Sequence, residues 1–158
     1  MQRSSKLCKI LLKIKKREAY KTDYRVPDNL QVKSLSESHV ELINSLWAHR
    51  YKYSEKFVSY SIKYHANIGF FNKNNELVAW CLRYDNGSLG MLQVINGERK
   101  KGYGSLISKL MCKKVAEEFG SDVISEIVPG NLISENMFAK IGFKKTDLHA
   151  GFEMRKKS

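Results

Sequence analysis

From residue 30 onward the apolar positions alternate between a period of two and a period near 3.6, with polar or glycine-containing turns at each change. Leu30, Val32 and Leu35 predict a first strand. Residues 36–47 follow as a helix, with Ser36 as N-cap and Val40, Leu42, Ile43, Leu46 and Trp47 on the apolar side. A second helix is predicted from Ser54, with Phe57, Val58, Ile62 and His65 along one face. Residues 68–71 and 76–84 read as strands joined by Asn72-Lys73-Asn74-Asn75, and Asp85-Asn86-Gly87 is a hairpin turn into a strand over 89–95. Leu106, Ile107, Leu110, Met111, Val115 and Phe119 mark a longer helix, closed by Gly120 as C-cap. A strand over 122–128 and a last helix complete the pattern.

Three strands linked by hairpins are antiparallel, whereas strand, helix and strand in one sheet make a right-handed parallel crossover. The expected class is therefore α/β in the α+β sense: a mixed, mostly antiparallel sheet in which 89–95 and 122–128 run parallel, flanked by helices. Ligands favour the carboxyl ends of such parallel strands. There the chain places INGERKKGYGSLISK, residues 95–109. Gly102 and Gly104 let backbone N–H groups come close to a ligand. The helix N-terminus adds partial positive charge, and Arg99, Lys100 and Lys101 add full charges, which together make a pyrophosphate cradle. The glycine spacing matches neither the Walker loop nor the G-x-G-x-x-G dinucleotide frame.

Composition changes this picture in three ways. With 158 residues and 42% hydrophobic content the chain can bury a core, and no apolar run approaches the roughly 20 residues of a membrane span. Cys8, Cys81 and Cys112 are odd in number and far apart, which fits neither a disulfide framework nor a metal site and points to a reducing, intracellular location, cytoplasmic or mitochondrial. The net charge of +12 is concentrated at the start, where seven cations from Arg3 to Arg17 precede the first acid, Glu18. Residues 1–26 are read as a basic arm before a domain over 27–158. Within the arm Leu7, Ile10, Leu11 and Ile14 have helical spacing. That helix is open to three readings: it lies on an anionic surface, serves as a transit peptide, or docks its apolar stripe on the domain. The lysines at 113, 114, 144, 145, 156 and 157 read as a solvated face.

Arg99-x-x-Gly102-x-Gly104 resembles the acyl-CoA-binding motif of the GNAT superfamily of N-acyltransferases. The predicted order of elements is similar to that family's fold, and Asn131-Leu-Ile-Ser134-Glu-Asn136-Met-Phe138-Ala-Lys140-Ile-Gly142-Phe143 looks like its second motif. Trp80-Cys-Leu82-Arg-Tyr-Asp85 with Gly87, and Trp47 before the serine-rich second helix, look like the glycine N-acyltransferase-like branch. The resemblance covers about residues 29–155. Members of that branch carry a further N-terminal half domain, in whose place this sequence has the basic arm, so a short paralogue and a fragment are both open.

The resemblance implies acetyl-CoA or another acyl-CoA as co-substrate and a small amine or amino acid, glycine among them, as acceptor. Leu92, Gln93 and Val94 would pair with the pantetheine arm through their backbone. Asn131, Ser134 and Phe138 would flank it, and Arg99, Lys100, Lys101, Gly102, Tyr103, Gly104 and Ser105 would hold the pyrophosphate. Acyl transfer needs a neutral amine and a stabilised thioester oxygen, and no metal. A main-chain amide near Val94 is the expected oxyanion donor. The branch places a glutamate where this chain has Ser88, so Glu126 on the neighbouring strand becomes the candidate base, ahead of His65 and His149. Phe138 stands where many members have a tyrosine that protonates the leaving thiolate, and Asn96 replaces a common proline. The expected function is acyl-CoA-dependent N-acyl transfer. The alternatives are a catalytically weak CoA-binding relative and a basic nucleic-acid-binding module, the latter without any recognised nucleic-acid motif.

Overall fold

The computed structural model describes residues 9–146. The strands are β1 (Ile10–Ile14), β2 (Gln31–Lys33), β3 (Asn67–Phe71), β4 (Leu77–Arg83), β5 (Ser88–Val94), β6 (Val123–Ile127) and β7 (Lys144–Lys145). The helices are α1 (Lys16–Tyr20), α2 (Val40–Leu46), α3 (Ser54–Tyr64), α4 (Tyr103–Phe119) and α5 (Leu132–Ile141). All strands join one sheet in the order β2-β3-β4-β5-β6-β1-β7. Among the described residues only β5 and β6 pair in parallel. The class expected from the pattern is the one observed.

Local chemistry explains the turns. Asn72 Oδ1 accepts from the N–H groups of Asn74 and Glu76, which closes the β3–β4 hairpin. Gly87, at φ 87°, makes the β4–β5 turn that a residue with a Cβ would strain. Strands β3 and β4 are buried nearly throughout because helices cover both faces of the sheet. On one face α4 packs Ile107, Met111 and Val115 against Phe70, Val78 and Val123. On the other, Ile43, Val58 and Ile62 from α2 and α3 meet Trp80, Leu82 and Met91.

Two local expectations need correction. The predicted helix over 36–47 begins as a 3-10 turn at Glu37–His39, capped by Ser36 and His39 on each other, and only then becomes α2. Being seven residues long, α2 buries Val40 and Ile43 while Leu42 and Leu46 stay exposed.

The larger correction concerns the basic arm. Ile10–Ile14 is a strand, not a helix, and it runs antiparallel to both β6 and β7. Leu11, Leu12 and Ile14 are all buried, and Ile14 is only 1% exposed. A short apolar run meets helical and strand templates equally well, and here the unpaired edges of β6 and β7 decide between them. Short helix α1 then lays Ala19, fully buried, into the α4 side of the core. Over its described part, the segment assigned to an arm ending at residue 26 is therefore built into the sheet; Leu7 and Cys8 lie outside the described residues. Cys81 and Cys112 are free and buried. No helix among the described residues is long and apolar enough to cross a membrane.

Candidate functional site

Parallel pairing between β5 and β6 stops after two residue pairs, Ser88↔Ile124 and Leu89↔Ser125. The cause lies in β5. Its register against β4 changes between Leu82↔Gly90 and Trp80↔Gln93, so Met91 and Leu92 together face Cys81, and Met91 takes a left-handed φ of 52°. Such a bulge bends the strand that carries it. From Gly90 onward the edge of β5 toward β6 has no partner strand among the described residues. Ile95 N–H donates to Val78 C=O at 3.0 Å, so the antiparallel alternation turns the N–H and C=O of Val94 to that open edge.

The gap opens into a cleft of about 370 Å³. Leu92 and Gln93 form its β5 side, Glu126 its β6 side, and Asn131, Ser134 and Phe138 its α5 side, while Trp47 and His49 close the end near α2. Asn131 is the N-cap of α5 and accepts from Ser134 N–H at 3.3 Å. Phe138 is 3% exposed and packs edge-on to Phe143 at 5.0 Å, so it serves the core and brings no proton to the cleft.

Glu126, the candidate base, is brought into the cleft wall with its side chain 18% exposed. One carboxylate oxygen accepts from Asn86 Nδ2 at 2.8 Å, and the other lies 3.3 Å from Lys9 Nζ. Asn86 Oδ1 in turn accepts from the N–H of Ser88 at 2.9 Å and from its hydroxyl at 2.7 Å. A hydrogen-bonded row thus runs from Ser88 through Asn86 to Glu126 and Lys9, directly over the point where the strands part. His65 does not reach the cleft; its Nε2 is held by Asp85. His149 lies outside the described residues.

After β5 the chain makes a 3-10 turn at Asn96–Glu98 and then takes positive φ twice, at Lys100 (65°) and at Gly102 (78°), before α4 starts. Among the described residues no side chain caps α4, and its first turn holds no acid. Its first N–H groups therefore point outward without a side-chain acceptor. A Cβ on Gly102 would meet no atom within 4 Å, so this corner faces open space. At Gly104 the nearest atoms are Met137 Sδ at 3.6 Å and Val94 Cγ2 at 4.0 Å, which sets the loop where α4, α5 and the end of β5 converge. Arg99, Lys100 and Lys101 are exposed, with Arg99 Nε donating to Val94 C=O at 3.3 Å and Lys101 paired to Glu98 at 2.6 Å. Ser105 is half-buried on the first turn of α4. Tyr103 contributes only backbone here, because its ring is buried edge-on to Phe70. Bare amides, open space and cations suit a diphosphate group.

Sequence reasoning missed Tyr84, Asn86 and Lys9. Asn86 was visible only as a turn residue, and Lys9 only as one cation of the arm. A signal for Tyr84 existed in Gly90, a glycine within a strand. A Cβ there would lie 2.0 Å from the Tyr84 ring and 2.6 Å from its hydroxyl oxygen, so the strand carries no side chain where that ring crosses it. Burial pushes the Tyr84 phenol up to about 12.

This is the arrangement of the GNAT fold: a mostly antiparallel sheet, one parallel pair opened by a bulge, and a glycine loop before the crossover helix. The FR47-like protein family matches residues 67–150, more than half of the sequence and the part that holds the bulge, the loop and α5. The chain belongs to that family. Solved structures agree on the fold. A Drosophila protein from a structural genomics programme aligns with a TM-score of 0.83 at 21% identity, over 87% of this chain and 47% of its own. A GCN5-related N-acetyltransferase from Kribbella flavida aligns with a TM-score of 0.62 at 13% identity, over 88% and 55%. AAC(6')-Iy, solved with the bisubstrate analogue CoA-S-monomethyl-acetylneamine, aligns with a TM-score of 0.60 at 15% identity, over 75% and 92%. The chain spans about half the length of the first two. No curated protein matches at the level of sequence.

Proposed function

We propose that the chain is an acyl-CoA-dependent N-acyltransferase that moves an acyl group from CoA to the amine of a small molecule or amino acid, with glycine a candidate acceptor. One observation carries the reading: the unpaired edge of β5 after Leu89 leads toward the uncapped start of α4. An extended arm with amide groups can pair with such an edge as a missing strand would, and a diphosphate can sit on such a helix start. CoA has both parts in that order. The bisubstrate complex of AAC(6')-Iy supports the reading through its fold.

In this reading Leu92, Gln93 and Val94 hold the pantetheine arm by backbone, Asn131 and Ser134 flank it, and Arg99 to Ser105 hold the diphosphate. Holding thioester and amine together in one cleft lowers the entropic part of the barrier. Glu126 takes the amine proton, with Asn86 and Lys9 fixing its orientation. Ser88, hydrogen-bonded to Asn86, keeps that row in place where relatives of the glycine branch have a glutamate. The compartment proposed is a reducing one, cytoplasmic or mitochondrial.

Screening acyl-CoAs against amines and amino acids for free-thiol release tests the proposal. We expect release that needs both substrates, and Glu126→Gln to lower turnover roughly 10²-fold while CoA affinity stays nearly the same. A second reading, a CoA-binding relative with little activity, is favoured by Phe138 and by the Lys9 ion pair on Glu126. Tight CoA binding with no release from any pair would select it.

A further inference from the structure

We infer that the Tyr84 hydroxyl donates a hydrogen bond to the thioester oxygen, acting at the bulge of β5 as a catalytic residue. The inference rests on the acyl-transfer reading above and adds to it a residue to which the sequence analysis gave no chemical role.

Four observations support it. First, Tyr84 follows the end of β4 and lines the cleft, and its ring crosses β5 at Gly90, where a Cβ would sit 2.0 Å from a ring carbon. The hydroxyl is thereby set beside the bulge, the place at which β5 leaves β6. Second, the ring is held from behind: it packs on Phe57 at 5.8 Å, and Phe57 stacks on Trp47, also at 5.8 Å. A ring fixed on one side leaves its oxygen a narrow range of positions, which is what a preorganised donor requires. Third, the phenol oxygen lies beside the backbone of Met91, the bulged residue with a left-handed φ of 52°. Fourth, Phe138, the ring on the α5 side of the cleft, has no hydroxyl.

The surroundings settle which kind of role a phenol has here. Burial is the main cause that raises its pKa, to about 12; the Met91 backbone works against this, and Cys81 and Glu126 add a smaller rise. Tyr84 is then neutral at physiological pH and acts as a donor, not as a base. In the step itself the amine lone pair attacks the thioester carbon, and the carbonyl π pair moves onto oxygen, where the Tyr84 O–H meets it without giving up its proton. The amine proton passes to Glu126. When the C=O bond re-forms, the C–S bond breaks and CoA leaves as thiolate, which takes a proton from solvent.

The alternative is that Tyr84 only packs on Gly90. Infrared difference spectra of bound acetyl-CoA, carbon-13-labelled at the carbonyl, separate the two. In the parent protein the carbonyl band should move to lower frequency than in free acetyl-CoA. Tyr84→Phe keeps the ring and removes the donor, so the band should return toward its free position and turnover should fall about 10²–10³-fold with acetyl-CoA affinity unchanged. Replacing Tyr84 with a difluorotyrosine, a stronger donor of nearly the same shape, should enlarge the shift, and it stands in if the phenylalanine variant does not fold. An unshifted band in the parent, or an equal shift in parent and variant, overturns the inference. If the parent transfers acetyl to no amine yet shows a shift that depends on Tyr84, the hydrogen bond stands, and its catalytic role falls with the transferase reading. If acetyl-CoA does not bind, both fall.

Discussion

Two basic segments of this protein, residues 9–17 and 99–101, look alike as strings of cations and behave as opposites in the fold. In the first, Lys9 and Lys13 pair with Glu126 and Asp122 of the β6 segment, and Leu11, Leu12 and Ile14 between them are buried. All five residues of that strand have ladder partners on β6, and Leu12 and Lys13 also have partners on β7. In the second, the cations stand on a loop whose φ angles turn positive at Lys100 and Gly102, and the backbone N–H groups that follow are uncapped. The difference teaches that cations do not make an anion site. What makes one is backbone left unpaired in a place from which side chains have been removed.

The largest effect that would sharpen this contrast is on stability. Ile14 is 1% exposed within the core, so Ile14→Ala should cost about 2–5 kcal/mol in denaturant unfolding. Lys100→Ala, at an exposed loop position, should change stability by less than about 0.5 kcal/mol. Equal costs at the two positions would mean that the strand is not the part of the core it looks to be.

The next effect is on binding. Gly104→Val keeps every cation of the loop but adds two methyl groups to a Cβ that already has Met137 Sδ at 3.6 Å. At about 100 times its dissociation constant, CoA should stabilise the parent by roughly 2.7 kcal/mol. The valine variant should keep its fold by circular dichroism and lose most of that gain. Its binding to DNA at fixed salt should stay as in the parent, since that is set by the number of phosphates neutralised. A variant that still gains stability from CoA would remove the loop from the site.

How far the sequence reveals this site follows from where its information is stored. The loop and the parallel pair are legible because each depends on local features: glycines at 102 and 104, a helical stripe, and a strand on either side. Glycine at 90 and the turn at 85–87 are legible too, but what they make room for is not, because Tyr84 meets Gly90 only once β4 and β5 are paired. Lys9 reaches Glu126 across 117 positions of sequence, and no spacing rule links them. The basic arm was misread for a related reason. Whether Ile10–Ile14 coils or extends depends on the free edges of β6 and β7, which are formed more than a hundred residues later.

The smallest effect concerns the tie that holds the first segment in place. Asp122 Oδ1 accepts from the N–H of Lys16 at the start of α1, at 2.8 Å, and Oδ2 lies 3.2 Å from Lys13 Nζ. The Lys16 N–H, with help from Lys13 and Lys15, holds this carboxyl below the usual carboxylate range. A carboxyl whose pKa is lowered by folding stabilises the native state at pH above its unfolded pKa, and that contribution disappears as pH falls through the folded pKa. Asp122→Asn keeps an oxygen for the Lys16 N–H and removes the charge. Its side chain is 40% exposed, so solvent screening limits the loss to less than about 1 kcal/mol at neutral pH. The gap between parent and variant should stay constant above about pH 5 and close below about pH 4, when the parent's own carboxyl takes up its proton. Urea unfolding of both proteins at neutral and acid pH measures this directly. A gap that persists unchanged in acid would show that the aspartate acts through shape alone, and that the cations of the first segment are as weakly held as those of the second.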